Sequence, residues 1–442
     1  MNFTDAGGAT MATKRSDNDI IAQQVASFEP TAQATIIEAM LADRTPTRTA
    51  PTIPERTLLQ RIEVEDDTPL VVTPSRLLVR AEHADRAAKL LNAHAPGWSD
   101  PSPVVCDGGI ALGLVRFVAP SDAALTTDVL DLLWDAGIEA NFSYITPSGP
   151  FVKGGENTPE HPTGTVPRWG SRSTARSGMG VRIAVIDTGI NCDKTTWGRA
   201  WLRGITRNAK NRDRLNALGG AILDAGAGHG TFVAGIVRQV APDSLVSVYR
   251  ALDSEGIGTE ESVACAIMQA AADGADIINL SLGTETYKDR PPVAIEAALE
   301  AIPDHVVVVA AAGNQASERP YWPAAFKRVI AVAALDEHGD PASWSNRGPW
   351  VNMSTRGAGV VSTFVHGLES TARDPHPEDF RSTRPWAMWS GTSFAAPQIA
   401  GLIAVGSQGR TAREAAADLV RSGSHVADFG ATIATPLTYR DS

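Results

Sequence analysis

The chain has 442 residues, 43% hydrophobic and 20% charged, with a formal net charge of -11. That length exceeds one ordinary domain, the composition is that of a globular protein and not of a fibrous or generally disordered one, and the negative charge argues against nucleic acid or an anionic membrane as the main partner. The one basic stretch, residues 199–214, reads as solvated surface because no interleaved base-stacking pattern accompanies its charges.

Residues 1–60 are polar, with one predicted helix around 18–42 and a Pro/Thr-rich run, Thr45-Pro-Thr-Arg-Thr-Ala-Pro-Thr-Ile-Pro54, and are read as an extended, mobile leader. Residues 61–148 change to short alternating elements. A strand at 76–81 is followed by a helix at 84–95 stopped by Pro96-Gly97, and two strands flank Asp107-Gly-Gly109. A helix at 123–136 ends at Gly137, and a strand covers 139–145. This βαββαβ order predicts a small α+β, ferredoxin-like domain. Residues 149–172, rich in Pro, Gly and Ser, form a linker.

From 173 to 442 the apolar runs 181–186, 246–251, 277–282, 306–311 and 329–333 alternate with alanine-rich helical stretches. That alternation predicts an α/β domain, a parallel sheet covered by helices on both faces. The three cysteines, Cys106, Cys192 and Cys265, are scattered without metal-ligand spacing, and no disulfide framework follows from them. Residues 1–20 show no apolar core behind a basic end, and no apolar run reaches bilayer length. The expectation is therefore a cytoplasmic location and no membrane partner.

Four segments of the larger domain carry chemistry: Ile183-Ala-Val-Ile-Asp187-Thr-Gly, His229-Gly-Thr-Phe-Val-Ala-Gly235, Ala311-Ala-Gly-Asn314 and Gly391-Thr-Ser393-Phe-Ala-Ala-Pro397. Asp187 ends an apolar strand, where α/β folds place ligands. His229 follows a Gly-rich turn and opens a helix with small residues that allow close packing. Ser393 opens another apolar helix, whose amino end favours developing negative charge. An aspartic protease would need a second Asp-Thr-Gly, which the chain lacks.

Together these segments resemble the catalytic core of the subtilisin-like serine proteases, the subtilase family. The order Asp, His, Ser differs from that of α/β-hydrolases and of chymotrypsin-like enzymes. The resemblance implies a serine endopeptidase acting on a polypeptide substrate, with Ser393 as nucleophile, His229 as general base, Asp187 as its orienter and Asn314 as an oxyanion donor. It further implies that Ser281, Leu282 and Gly283 with Ala311, Ala312 and Gly313 line the substrate cleft. Tyr321 lies near the base of the specificity pocket, where a bulky ring shortens it, and Trp322-Pro323 matches a position that is often cis. Residues 61–148 resemble the inhibitory propeptides of such enzymes, so the chain's own N-terminal domain is the expected intramolecular inhibitor. No cofactor is implied. The short stretch between His229 and Pro242 leaves no room for the calcium loop of some relatives, so structural calcium is not expected. Residues 364–389 are longer than usual and read as a surface loop beside the cleft. The other readings are a triggered effector protease with the same chemistry, and an inactive binding module.

Overall fold

The computed structural model describes residues 15–28, 56–64, 69–120, 125–148, 158–163, 178–191, 204–206, 208–371, 377–381 and 386–437. The first helix, α1 (Asp17–Ala26), opens on a reciprocal cap between Ser16 and Asp19, which satisfies backbone donors that the first turn leaves unpaired. It buries Ile20, Ile21 and Gln24. Over residues 15–28 the expected mobile leader is thus a docked helix, because its apolar face finds a partner far along the chain. The rest of the predicted helix and the Pro/Thr-rich run lie outside the described residues.

The N-terminal domain runs β1 (Gln60–Ile62), β2 (Leu70–Arg80), α2 (Ala84–His94), β3 (Ser102–Val105), β4 (Ala111–Val118), α3 (Asp128–Asp135) and β5 (Ala140–Pro147). Its strands pair antiparallel in the order β3-β4-β2-β5, with β1 on β2. Period two sorts the side chains. Leu77 and Val79 share a core with Ala87, Leu91, Leu130 and Leu133 of the two helices, whereas Leu78 between them faces the C-terminal domain.

The C-terminal domain continues with β6 (Arg182–Asp187), β7 (Ile205–Thr206), α4 (His229–Val240), β8 (Leu245–Arg250), β9 (Ile257–Thr259), α5 (Glu260–Ala272), β10 (Ile277–Leu280), α6 (Val293–Ala301), β11 (Val307–Ala311), β12 (Val329–Leu335), β13 (Met353–Arg356), β14 (Val360–Thr363), β15 (Trp386–Trp389), α7 (Thr392–Gly406), α8 (Ala412–Ser422), β16 (Ser424–Val426) and β17 (Gly430–Thr432). The main sheet has the order β16-β17-β13-β12-β11-β10-β6-β8-β7 and is parallel except for the β16–β17 pair. Its strands are covered on both faces. Val307, Val309 and Ala311 pack with α4 and α7, while Val308 and Ala310 pack with α5 and α6. This is the α/β architecture the apolar runs predict. From β6 the chain winds outward to β8 and then crosses back to β10, so the carboxyl ends of β6 and β10 flank the point where the winding reverses. Open α/β sheets leave a crevice there.

Two expectations about the chain's long-range organisation are corrected. Cys106, between β3 and β4, is disulfide-bonded to Cys265 on α5, a separation of 159 residues that couples the two domains covalently. Of residues 364–389, the described stretches 366–371 and 377–381 are irregular and mostly half-buried or exposed, whereas Phe364 and Phe380 are buried and Trp386–Trp389 forms β15, paired antiparallel with β14. Among the described residues no helix is long and apolar enough to cross a membrane.

Candidate active site

Asp187 is the last residue of β6 and is wholly buried. Its Oδ1 accepts the Thr188 N–H at 2.7 Å, and its two oxygens lie 2.8 and 2.9 Å from Nδ1 of His229. A buried carboxylate needs such donors. His229 is the first residue of α4, and the turn before it passes through Gly228 in the left-handed region at φ 81. Gly230 lets the helix start press on the end of β6, for a Cβ there would meet the Gly189 carbonyl. Sequence thus dictates the approach: small residues on either side of the imidazole bring it down onto the carboxylate.

Ser393 is the second residue of α7 and is fully buried. Its hydroxyl donates to the Ser281 carbonyl at 3.3 Å, and the Ser281 hydroxyl donates back to the Ser393 carbonyl at 2.8 Å, so the turn after β10 and the start of α7 hold each other. The next residue, Phe394, lies with its ring centroid 5.4 Å from that of His229, which brings the start of α7 beside the imidazole. Asn314 follows β11. Its Oδ1 accepts both the N–H and the hydroxyl of Thr392, each at 2.9 Å. A backbone N–H can only donate, so this contact fixes the amide orientation and aims Nδ2 the other way.

Two buried side-chain atoms of this cluster, Nε2 of His229 and Nδ2 of Asn314, have no hydrogen-bond partner among the described residues. Leaving a buried polar group unpaired costs about 1–3 kcal/mol. In each of these two side chains the other polar atom is engaged, Nδ1 by Asp187 and Oδ1 by Thr392. His229 Nε2 and Asn314 Nδ2 are thus unpartnered among the described residues, and Ser393 lies at the amino end of the helix whose Phe394 packs against the imidazole. An imidazole nitrogen, an amide donor and a hydroxyl are the kinds of group that acyl transfer uses.

The remaining predicted cleft residues fall around this cluster. Ser281, Leu282 and Gly283 continue β10, and Ala311, Ala312 and Gly313 lead from β11 into Asn314. Tyr321 is buried against Gly283, its hydroxyl donating to the Gly283 carbonyl at 2.8 Å, and a Cβ at Gly283 would overlap its ring. The Trp322-Pro323 peptide is cis. The edge beside Leu282 is occupied by the chain itself. β5 pairs antiparallel with β9, the Gly283 N–H donates to the Pro147 carbonyl at 3.0 Å, and the Ser148 N–H donates to the Gly256 carbonyl at 2.8 Å. Pro147 and Ser148 thus lie between Gly256 and Gly283 as a central strand.

Several residues of the site carry no motif signal. Trp389 stands edge-on to His229 at 5.4 Å and packs on Phe364 and Phe394. Asp213 is buried behind the pair formed by Asp187 and His229, accepting the Gly228 N–H at 2.9 Å and the Thr188 hydroxyl at 3.3 Å. Burial, aided by the charge of Asp187, pushes its carboxyl up to about 6 against the pull of those donors. A solvated-turn reading of Asp213 is what its sequence neighbours suggest, and only the fold brings it inside. Among the described residues no group of three or more His, Cys, Asp or Glu is placed to hold a metal ion.

A family model described as "Subtilase family" matches residues 178–422. The "Thermophilic serine proteinase" of Bacillus sp. (strain AK1) is 33% identical over 276 residues, covering 60% of this chain and 61% of that protein. "Thermitase" of Thermoactinomyces vulgaris is 30% identical over 264 residues, covering 57% and 84%. The crystal structure of fervidolysin from Fervidobacterium pennivorans, "a keratinolytic enzyme related to subtilisin", aligns with a TM-score of 0.56 at 20% identity over 88% of this chain and 63% of that one. It shares the fold.

Proposed function

Because the chain belongs to the subtilase family, we propose that it is a serine endopeptidase, hydrolysing polypeptide substrates through an acyl-enzyme intermediate. Ser393 Oγ attacks the scissile carbonyl carbon while His229 Nε2 takes its proton, and Asp187 holds the Nδ1–H and stabilises the imidazolium. The oxyanion is received by Asn314 Nδ2 and the backbone N–H of Ser393. Collapse returns the proton to the leaving amine, and water repeats the sequence on the ester. The observation that carries the reading is the pair of buried, unpartnered atoms His229 Nε2 and Asn314 Nδ2. A fluorophosphonate probe tests it: the wild-type protein is expected to label and Ser393→Ala to remain unlabelled. Equal labelling of both, or none of either after removal of the N-terminal domain, would reject the assignment.

The reading extends to the N-terminal domain as an intramolecular inhibitor. Its support is the pairing of β5 with β9 and the seating of Pro147 and Ser148 between Gly256 and Gly283. Extended peptides bind sheet edges by the same backbone bonds, so the chain's own strand excludes substrate from that edge. Tethering gives it a high effective concentration. Isolated residues 61–150 are expected to inhibit enzyme freed of them, and equal peptidase rates with and without the domain would refute the role.

Tyr321 supports a preference for small side chains in the specificity pocket, because its ring already fills the space beside Gly283. The expected cytoplasmic location is weakened by the Cys106–Cys265 bond, since such bonds persist mainly where thiols are oxidised.

A further inference from the structure

The face of α1 that is buried lies against the C-terminal domain, not against the N-terminal domain to which it is closer in sequence. Ile20, Ile21 and Phe28 belong to the core formed by α4, α7 and the main sheet, and none of them enters the N-terminal core. Phe28 stacks on Trp344 at 4.5 Å, and Ile21 covers Gly359 so closely that a Cβ there would collide with it. Polar bonds tie the same helix to the segment beyond the linker. Arg15 pairs with the buried Glu160 at 2.7 Å, and Asp17 accepts the Thr163 N–H at 2.8 Å.

At the centre of the contact is Gln24, an uncharged polar side chain with no exposure to solvent. Its Nε2 donates to the carbonyls of Thr158 at 2.8 Å and Met388 at 3.0 Å, and its Oε1 accepts the Ser390 hydroxyl at 2.8 Å. Ser390 Oγ in turn accepts the Gly359 N–H at 3.0 Å. Met388 is in β15, and Ser390 is followed directly by Gly391, Thr392 and Ser393. One amide therefore pins the end of β15 to β14's entry just before the chain turns into α7. Deeply buried and fully bonded, it holds two chain segments, one 134 residues away and one 364 to 366 residues away in sequence.

From this network we infer that α1 is a constituent of the catalytic unit, with the N-terminal domain inserted between two of its parts, and that Gln24 is a positioning residue for the turn that presents Ser393. The inference rests on the proposed endopeptidase reading, since it assigns Gln24 an effect on the reactivity of that serine. Sub-ångström placement of a nucleophile governs its rate, so loosening the turn acts on turnover more than on substrate binding. Removal of the N-terminal domain would then leave α1 in place, held by its own contacts.

The test compares wild type, Gln24→Ala and Ile20→Ala as full-length chains processed identically. Fluorophosphonate labelling rate, kcat, KM and Tm are measured for each. Gln24→Ala is expected to label and turn over about tenfold more slowly with KM unchanged. Ile20→Ala, which removes packing alone, is expected to lower Tm and leave kcat intact. If Gln24→Ala fails to fold, Gln24→Met keeps its volume without its hydrogen bonds and carries the same expectation. Unchanged kcat in the folded Gln24 variant overturns the inference, as does an equal fall in kcat for Ile20→Ala, which would make the effect one of general destabilisation. Failure of the wild type to label would instead defeat the endopeptidase reading, and the inference with it.

Discussion

Thr392 holds Asn314 by two hydrogen bonds to one atom, its N–H and hydroxyl both donating to Oδ1 at 2.9 Å. The Thr392 hydroxyl is itself held by the Gly313 N–H at 3.1 Å, so the turn after β11 and the start of α7 are locked in one cycle. The orientation of the proposed oxyanion donor is thereby set by Thr392. Thr392→Val keeps the backbone donor and removes the hydroxyl. It is expected to lower kcat by about tenfold with little change in KM, against the roughly 10²–10³-fold loss expected for Asn314→Ala. Steady-state kinetics on one peptide substrate separates these, and a Thr392→Val enzyme with wild-type kcat would show that the second bond suffices.

The contact between β5 and the amino end of α5 is expected to depend on pH. Burial, reinforced by the neighbouring Glu261, pushes the Glu260 carboxyl up to about 8, although Tyr144 N–H, Ala294 N–H and the Asn141 side chain all donate to it. Ser143 and Asn141 of β5 cover the two carboxylates, so undocking the domain returns Glu260 to water and to an ordinary value. The docked state therefore binds the extra proton. Its advantage is present below about 4.5 and is lost as pH rises toward about 8. Hydrogen exchange of the amides of residues 140–146, corrected for intrinsic rates, should show protection falling from pH 5 to pH 8. Glu260→Gln should flatten the dependence. Protection that rises over the same interval contradicts the assignment.

The Cys106–Cys265 bond makes a different prediction about the same interface. It joins the turn between β3 and β4 to α5, so cutting the linker alone leaves the domains covalently joined. A linker-cleaved chain is expected to run as one species without reductant and as two with it. Reductant should also speed the loss of inhibition, because a released domain no longer benefits from tethering. Two species under non-reducing conditions would mean the bond does not form in solution.

The chemistry of the site is legible in the sequence because each group sits at a strand end or helix start whose geometry demands a local pattern. Gly228 and Gly230 beside His229, and the glycines before Asn314 and Thr392, are read directly from short motifs. The main sheet is legible for a similar reason: strands buried on both faces are continuous apolar runs. What periodicity misses is pairing at long range. Cys106 and Cys265 show no spacing that marks them as partners, and α1 looks like a polar leader because only Ile20, Ile21 and Phe28 betray its buried side. Trp386 and Trp389 read as loop because their strand, Trp386–Trp389, is too short to display alternation. Asp213 acquires its role only when the turn before His229 folds over it.

Substrate preference gives the sharpest test of Tyr321. Its hydroxyl bond to the Gly283 carbonyl and its burial fix the ring against Gly283, so a large side chain entering there would have to displace it. Gly283 cannot yield, because the ring already occupies the place of a Cβ. Tyr321→Ala removes the ring and opens a cavity beside Gly283. Cleavage of a peptide library should then shift from bonds after Gly, Ala and Ser toward bonds after Leu and Phe, with the ratio of kcat/KM for large over small residues rising about 10–200-fold. The opened cavity is also expected to lower stability by about 3–5 kcal/mol, so the profile is to be taken well below the variant's Tm. Mass-spectrometric profiling that returns the same preference for both proteins would place the specificity pocket elsewhere and leave Tyr321 as part of the core.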